Sequence, residues 1–166
     1  GLEAPVTGEP ILVSVESVED LDQYRGKLAG RIVLNGKVND VPLPFEALAE
    51  RYDGPGLEEL TEAPEPGAPS RWSSRRAEWM KRREVQTALR EMLREEGAAV
   101  VIVPDGGSYN DYGVVALGGG GSREPDEERA LPQLVVSTEQ FNRIARLLQH
   151  EVPVRMNVDV RTTFYD

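Results

Sequence analysis

The sequence predicts an α+β domain in which about six strands make a curled sheet partly covered by two main helices. Two observations carry this. A long amphipathic segment, 70–96, stops at Gly97 and passes straight into the apolar run Ala98–Val103, so a helix packs back onto a strand through a tight connection. A second apolar run, Gln133–Val136, leads at once into a capped helix. The remainder is short β-branched runs set off by glycine and proline, with fewer helices than a doubly wound nucleotide fold needs.

Taken in order, Ile11, Val13 and Val15 alternate with Leu12, Ser14 and Glu16, which predicts a strand over Pro10–Val18 with one deeply buried face. Gly26-Lys27-Leu28-Ala29-Gly30 punctuates the chain, and Arg31–Leu34 follows as a second strand that ends at the turn signal Asn35-Gly36. Prolines 42, 44, 55, 64, 66 and 69 exclude long regular structure from 42–70, which reads as a Pro-rich internal loop with short helical turns at Phe45–Arg51 and Gly56–Glu62. Across 70–96, Trp72, Trp79, Met80, Val85, Leu89, Met92 and Leu93 recur at helical spacings, and the other face is charged. Val114–Leu117 predicts a short strand inside an otherwise polar stretch, 105–126. Ser137–Gln140 forms a capping box for a helix through Gln149, with Phe141, Ile144, Ala145, Leu147 and Leu148 inward. Val154, Met156, Val158 and Val160 then alternate with Arg155, Asn157, Asp159 and Arg161, predicting a long closing strand over Val152–Phe164. There is no internal repeat, and residues 1–166 read as one domain.

With 39% hydrophobic and 29% charged residues in a chain of 166, one core can form without metal or disulfide staples. A formal charge of -10 repels phosphate backbones and anionic bilayers, which argues against nucleic acid and membrane as partners. Cysteine is absent, so disulfides, thiolate nucleophiles and cysteine-held zinc are excluded. The longest apolar run, Ala98–Val103, falls far short of the roughly 20 residues of a membrane helix. Gly1-Leu2-Glu3 carries no basic leader and no methionine, as expected of a piece excised from a longer polypeptide or of a processed protein.

Chemistry-bearing residues are sparse. His150 is the single histidine; without cysteine beside it the usual zinc ligand set cannot assemble, and its place at a helix end suits a cap meeting the helix dipole. A serine triad would have to recruit His150, and no Gly-x-Ser-x-Gly elbow follows a strand. Gly118–Gly121 lacks the Gly-Lys-Ser/Thr of a phosphate loop and reads as surface loop. Asp105, Asn110 and Asp111, with Glu124, Asp126, Glu127 and Glu128, offer oxygens that a calcium ion could take, although their spacing is not that of an EF-hand and they read first as a solvated acidic loop. Arg71, Arg75, Arg76, Lys81, Arg82, Arg83, Arg90 and Arg94 gather on one helix; they read as a contact face for an acidic partner or neighbouring domain, or as an ordinary solvated face diluted by Glu78, Glu84, Glu91, Glu95 and Glu96.

Three segments in order, Gly26–Leu34, Glu96–Ile102 and Leu131–Val136, resemble the protease-associated domain family, following its "G-K-(I/V)-x-G-(K/R)-I-V-L", "G-A-x-(A/G)-V-(I/L)" and "L-P-x-(V/L)-x-(V/I)-(S/T)" strands except at Leu28, where the first has Ile or Val, and Val100, where the second has Ala or Gly. Leu57–Pro66, the helix Gln140–Gln149 and the closing strand extend the likeness to the subgroup inserted in bacterial zinc aminopeptidases and carboxypeptidase Q-like exopeptidases. The resemblance implies a small β-barrel or β-sandwich flanked by helices, lying over a separate di-zinc catalytic domain of the same polypeptide in a secreted or periplasmic parent. It implies a non-catalytic accessory domain that guides peptide or protein substrate, with zinc held by the parent's catalytic domain and no cofactor here. The family shares no universal catalytic or ligand motif, so no residue of this chain is assigned a catalytic, cofactor-binding or metal role. Two other readings stay open: a stand-alone or calcium-stabilised interaction module, and a hydrolase using Asp105 and Asp111 with a metal.

Overall fold

Four short apolar runs pair side by side in the order in which the chain lays them down. The computed structural model describes residues 2–41, 45, 51–62, 71–105 and 131–161. The strands are β1 (Val6–Gly8), β2 (Ile11–Val13), β3 (Ile32–Asn35), β4 (Val100–Pro104), β5 (Gln133–Val136) and β6 (Met156–Val158). The helices are α1 (Gly54–Thr61), α2 (Arg71–Glu95) and α3 (Thr138–Gln149), with a 3-10 turn at Glu19–Tyr24. Strands β2-β3-β4-β5 form a parallel sheet in that order, and β1 pairs antiparallel with β6 in a separate two-stranded ribbon. The fold is thus α+β. Among the described residues the edges β2 and β5 are not joined, so the sheet is open and does not form the closed barrel that the resemblance allows.

Strand periodicity divides the sheet's side chains between two cores. Val13, Val33 and Val101 face one layer, which holds Leu21, Leu28 and the α2 residues Leu89, Met92 and Leu93. Ile32, Leu34, Val100 and Ile102 face the other, against Phe141 and Ala145 of α3 and Val158 of β6. Both faces are covered with few helices because the ribbon shares the second face with α3. A parallel sheet buried on both faces thus forms here with fewer helices than a doubly wound nucleotide fold uses.

Two predicted strands are shorter than their periodicity suggests. The first ends at Val13 because the Asp20 carboxylate accepts the N–H groups of Glu16 and Ser17, both at 2.9 Å, and turns the backbone out of the sheet. Those N–H groups hold the Asp20 carboxyl below its ordinary value of 3.8, the Glu16 bond contributing most. A carboxyl depressed on folding stabilises above its unfolded pKa, and that stability is lost as pH falls through the folded value. Asp20→Asn is therefore expected to lower the melting temperature at neutral pH, with the gap to wild type closing below about pH 4. A gap independent of pH would show that the carboxylate's charge contributes nothing.

The closing strand is three residues long, because a strand extends only as far as its partner. Its partner β1 lies between Pro5 and Pro10, which have no N–H to donate. One further bond, Leu2 N–H to the Val160 carbonyl at 2.8 Å, prolongs the ribbon. Strand β1 itself has no clear signature in the sequence.

The helices follow their predicted bounds closely. Asp53 caps α1 through the Gly56 N–H at 2.9 Å, and Ser137 caps α3 through the Gln140 N–H. The α2 periodicity needs one correction: Val85, Leu89, Met92 and Leu93 are buried, whereas Trp79 and Met80 are each 57% exposed. Six and five residues before Val85 correspond to about 120° and 140° around the helix, so these side chains leave the core stripe. The Phe45–Arg51 turn, for the most part, and the Val114–Leu117 strand lie outside the described residues.

Gly36 terminates β3 with φ 153°, and a Cβ there would stand 3.0 Å from both Phe141 Cζ and Pro104 Cδ. Gly36→Ala is expected to cost about 1–3 kcal/mol, from backbone strain and overpacking together, read as a fall in urea midpoint at constant slope.

Candidate functional site

All four parallel strands end on one edge of the sheet, and the residues that follow them gather there: Ser14, Gly36, Asp105 and Ser137. The two longest stretches between described elements, from β3 to α1 and from β4 to β5, both leave from this edge, the upper edge of the sheet. In open α/β sheets such an edge is where loops assemble binding sites.

Its polar groups mostly bond one another. Asn142, 3% exposed, accepts the Asn39 N–H at 2.9 Å and donates to the Asn39 carbonyl at 2.8 Å, tying the segment after β3 to α3. The Ser14 N–H donates to the Tyr24 hydroxyl at 3.1 Å. The Asp105 N–H donates to the Val136 carbonyl at 2.8 Å, and the Thr138 hydroxyl donates to the Asp105 carbonyl at 3.4 Å. Lys37 pairs with Glu16 at 3.1 Å, both exposed. These contacts hold the strand ends in place and bring no nucleophile beside a base.

His150 is the C-cap of α3, its N–H directed at the Arg146 and Leu148 carbonyls. Helix α3 starts beside Asp105, and its 12 residues carry His150 about 18 Å toward the opposite edge. Asp105 and His150 therefore cannot act as a pair. Asn110, Asp111, Glu124, Asp126, Glu127 and Glu128, as well as Gly118–Gly121, lie outside the described residues. Among the described residues no three acidic or histidine side chains cluster as a metal site, and no helix is long and apolar enough to cross a membrane.

The opposite edge carries a contact that sequence reading left unassigned. The Glu96 carboxylate accepts the Gly26 N–H at 2.7 Å and the Leu28 N–H at 3.1 Å, one to each oxygen. Beside it the Gly30 N–H donates to the Gly97 carbonyl at 2.8 Å, and the Ala99 N–H to the Arg31 carbonyl at 3.0 Å. Gly97, with φ 72°, makes the reversal from α2 into β4 that sets this register. The only sequence signal for Glu96 is its place immediately before that glycine.

The basic helix divides at the upper edge. The Asn35 side chain at the end of β3 donates to Gln86 at 3.3 Å, so Gln86 is level with the ends of the strands. The part of α2 preceding it projects past the edge by about 21 Å. No family model, curated protein or solved structure matches the chain.

Proposed function

We propose that the chain is a protease-associated accessory domain, a non-catalytic module that lies over the catalytic domain of a secreted or periplasmic zinc exopeptidase and governs which peptides reach it. One observation supports this above the rest. The three segments that resemble the family lie side by side as β3, β4 and β5, and their flanks are bonded to one another through Glu96, Gly97 and the Val101 N–H to Pro132 carbonyl bond of 2.9 Å. Segments separated by tens of residues thus make one structural unit. In this reading the upper edge, with its long connections, faces the peptide or protein substrate, and zinc is bound by the catalytic domain of the same polypeptide.

The test is to express the parental polypeptide whole and with residues 1–166 excised, and to assay both with zinc on a dipeptide anilide and on a longer peptide. Excision is expected to retain dipeptide turnover and to change the preference between the two substrates by about tenfold, ~1.4 kcal/mol of transition-state discrimination. Flanking sequence without histidine and carboxylate zinc ligands would overturn the reading, as would peptidase activity of the 166-residue chain alone.

A further inference from the structure

Helix α2 has two environments. From Val85 onward it contributes Val85, Leu89, Met92 and Leu93 to the interior, but every described side chain from Arg75 to Glu84 is exposed. The core stripe, continued toward the N-terminus, meets Lys81, Arg82 and Glu78, which have no apolar surface to bury there. The face opposite the stripe is the one with apolar area: Trp79 and Met80 flank Arg76 and Arg83, which are seven residues apart and so share that face. The Arg83 guanidinium lies over the Trp79 ring, 5.3 Å from its centroid. A shallow open depression runs along this face beside Trp79 and Met80, and among the groups lining it the cations Arg76, Lys81 and Arg83 outnumber the carboxylates of Glu84 and Glu91.

Charge selects the occupant. Between 71 and 83 the chain has Arg71, Arg75, Arg76, Lys81, Arg82 and Arg83 against Glu78 alone, a local +5 in a chain of -10, so the remainder carries -15. We propose that this projecting face docks a short acidic polypeptide segment bearing an apolar side chain, which seats against Trp79 and Met80 while its carboxylates meet Arg76 and Arg83. Along the helix axis Trp79 stands about 10 Å and Arg76 about 15 Å beyond Gln86, more than the Debye length of about 8 Å at physiological salt, so an acidic segment seated at this end of the face is largely screened from the acidic body. A long polyanion or an anionic bilayer would face that body as well. The Arg83–Trp79 stack presents a cation and an aromatic surface together, the pairing enriched where binding energy concentrates. This inference rests on α2 alone and stands apart from the accessory-domain reading.

The test uses the whole 166-residue chain and a fluorescein-labelled helical peptide of glutamates with leucines at helical spacing. Its lysine counterpart, a single-stranded oligonucleotide and phosphatidylserine vesicles serve as competitors. The acidic peptide is expected to bind, and to weaken about tenfold or more as salt is raised to about 0.3 M. Trp79→Ala is expected to weaken it by a similar factor, and the double variant Arg76→Glu/Arg83→Glu to abolish it. Melting temperatures stay unchanged, because these side chains are exposed. Absence of binding, binding indifferent to Trp79→Ala, tighter binding to oligonucleotide or vesicles, or a dimer in sedimentation that Trp79→Ala disperses would each overturn the proposal.

Discussion

Phe141→Ala is expected to lower the unfolding free energy by about 3–5 kcal/mol. Phe141 is 0% exposed and sits in the core shared by Ile32, Leu34, Val100, Ile102, Ala145 and Val158, so one side chain joins α3, the sheet and the β1–β6 ribbon. Close-packed surroundings relax only in part, so the loss combines the removed apolar transfer with a residual cavity. Against a typical total of about 5–15 kcal/mol, this is enough to populate the unfolded chain in a domain of ordinary stability. Urea denaturation reads it as a lower midpoint at an unchanged slope. The ring tip also stands where a Cβ on residue 36 would go, so the double variant Phe141→Leu/Gly36→Ala should cost less than the sum of its parts. A loss below about 1 kcal/mol would mean that α3 does not close this face.

Glu96→Ala is expected to cost about 2 kcal/mol, toward the low end for a carboxylate accepting two backbone N–H groups because Glu96 is only half-buried and Gly26 is exposed. Glu96→Gln keeps one acceptor oxygen and should cost about half as much. The amides of Gly26 and Leu28 report the contact directly: in Glu96→Ala their hydrogen exchange accelerates, while that of the β4 amides follows global stability. Unchanged exchange at both amides would show that the bridge does not hold in solution. In the accessory-domain reading this carboxylate is a positioning residue that joins two of the three family-like segments.

Much of the architecture is legible in residue order. The α3 helix and β5 occupy their predicted bounds because each is specified locally: Pro132 precedes the β-branched run of the strand, and Ser137 supplies the cap of the helix. Elements whose limits depend on a partner were not legible. Alternation continues past Val13 and past Val158, yet the first strand yields to the Asp20 cap and the last ends with its three-residue partner β1. Helical spacing likewise gathered Trp79 and Met80 with Val85 and Leu89, since period alone does not say where along a long helix the core stops.

The same division applies to the candidate sites. Charge, the missing cysteines and the lone histidine could be read from the sequence, and so could the three family-like segments and the concentration of arginine on one helix. Which strands adjoin, that Glu96 bridges to Gly26 and Leu28, that His150 and Asp105 stand at opposite edges, and that half of α2 projects beyond the sheet were decided by tertiary structure. Propensities, caps and turn residues act over a few neighbours, so the order of residues specifies them; strand pairing and burial depend on contacts between residues tens of positions apart, which only the folded chain brings together.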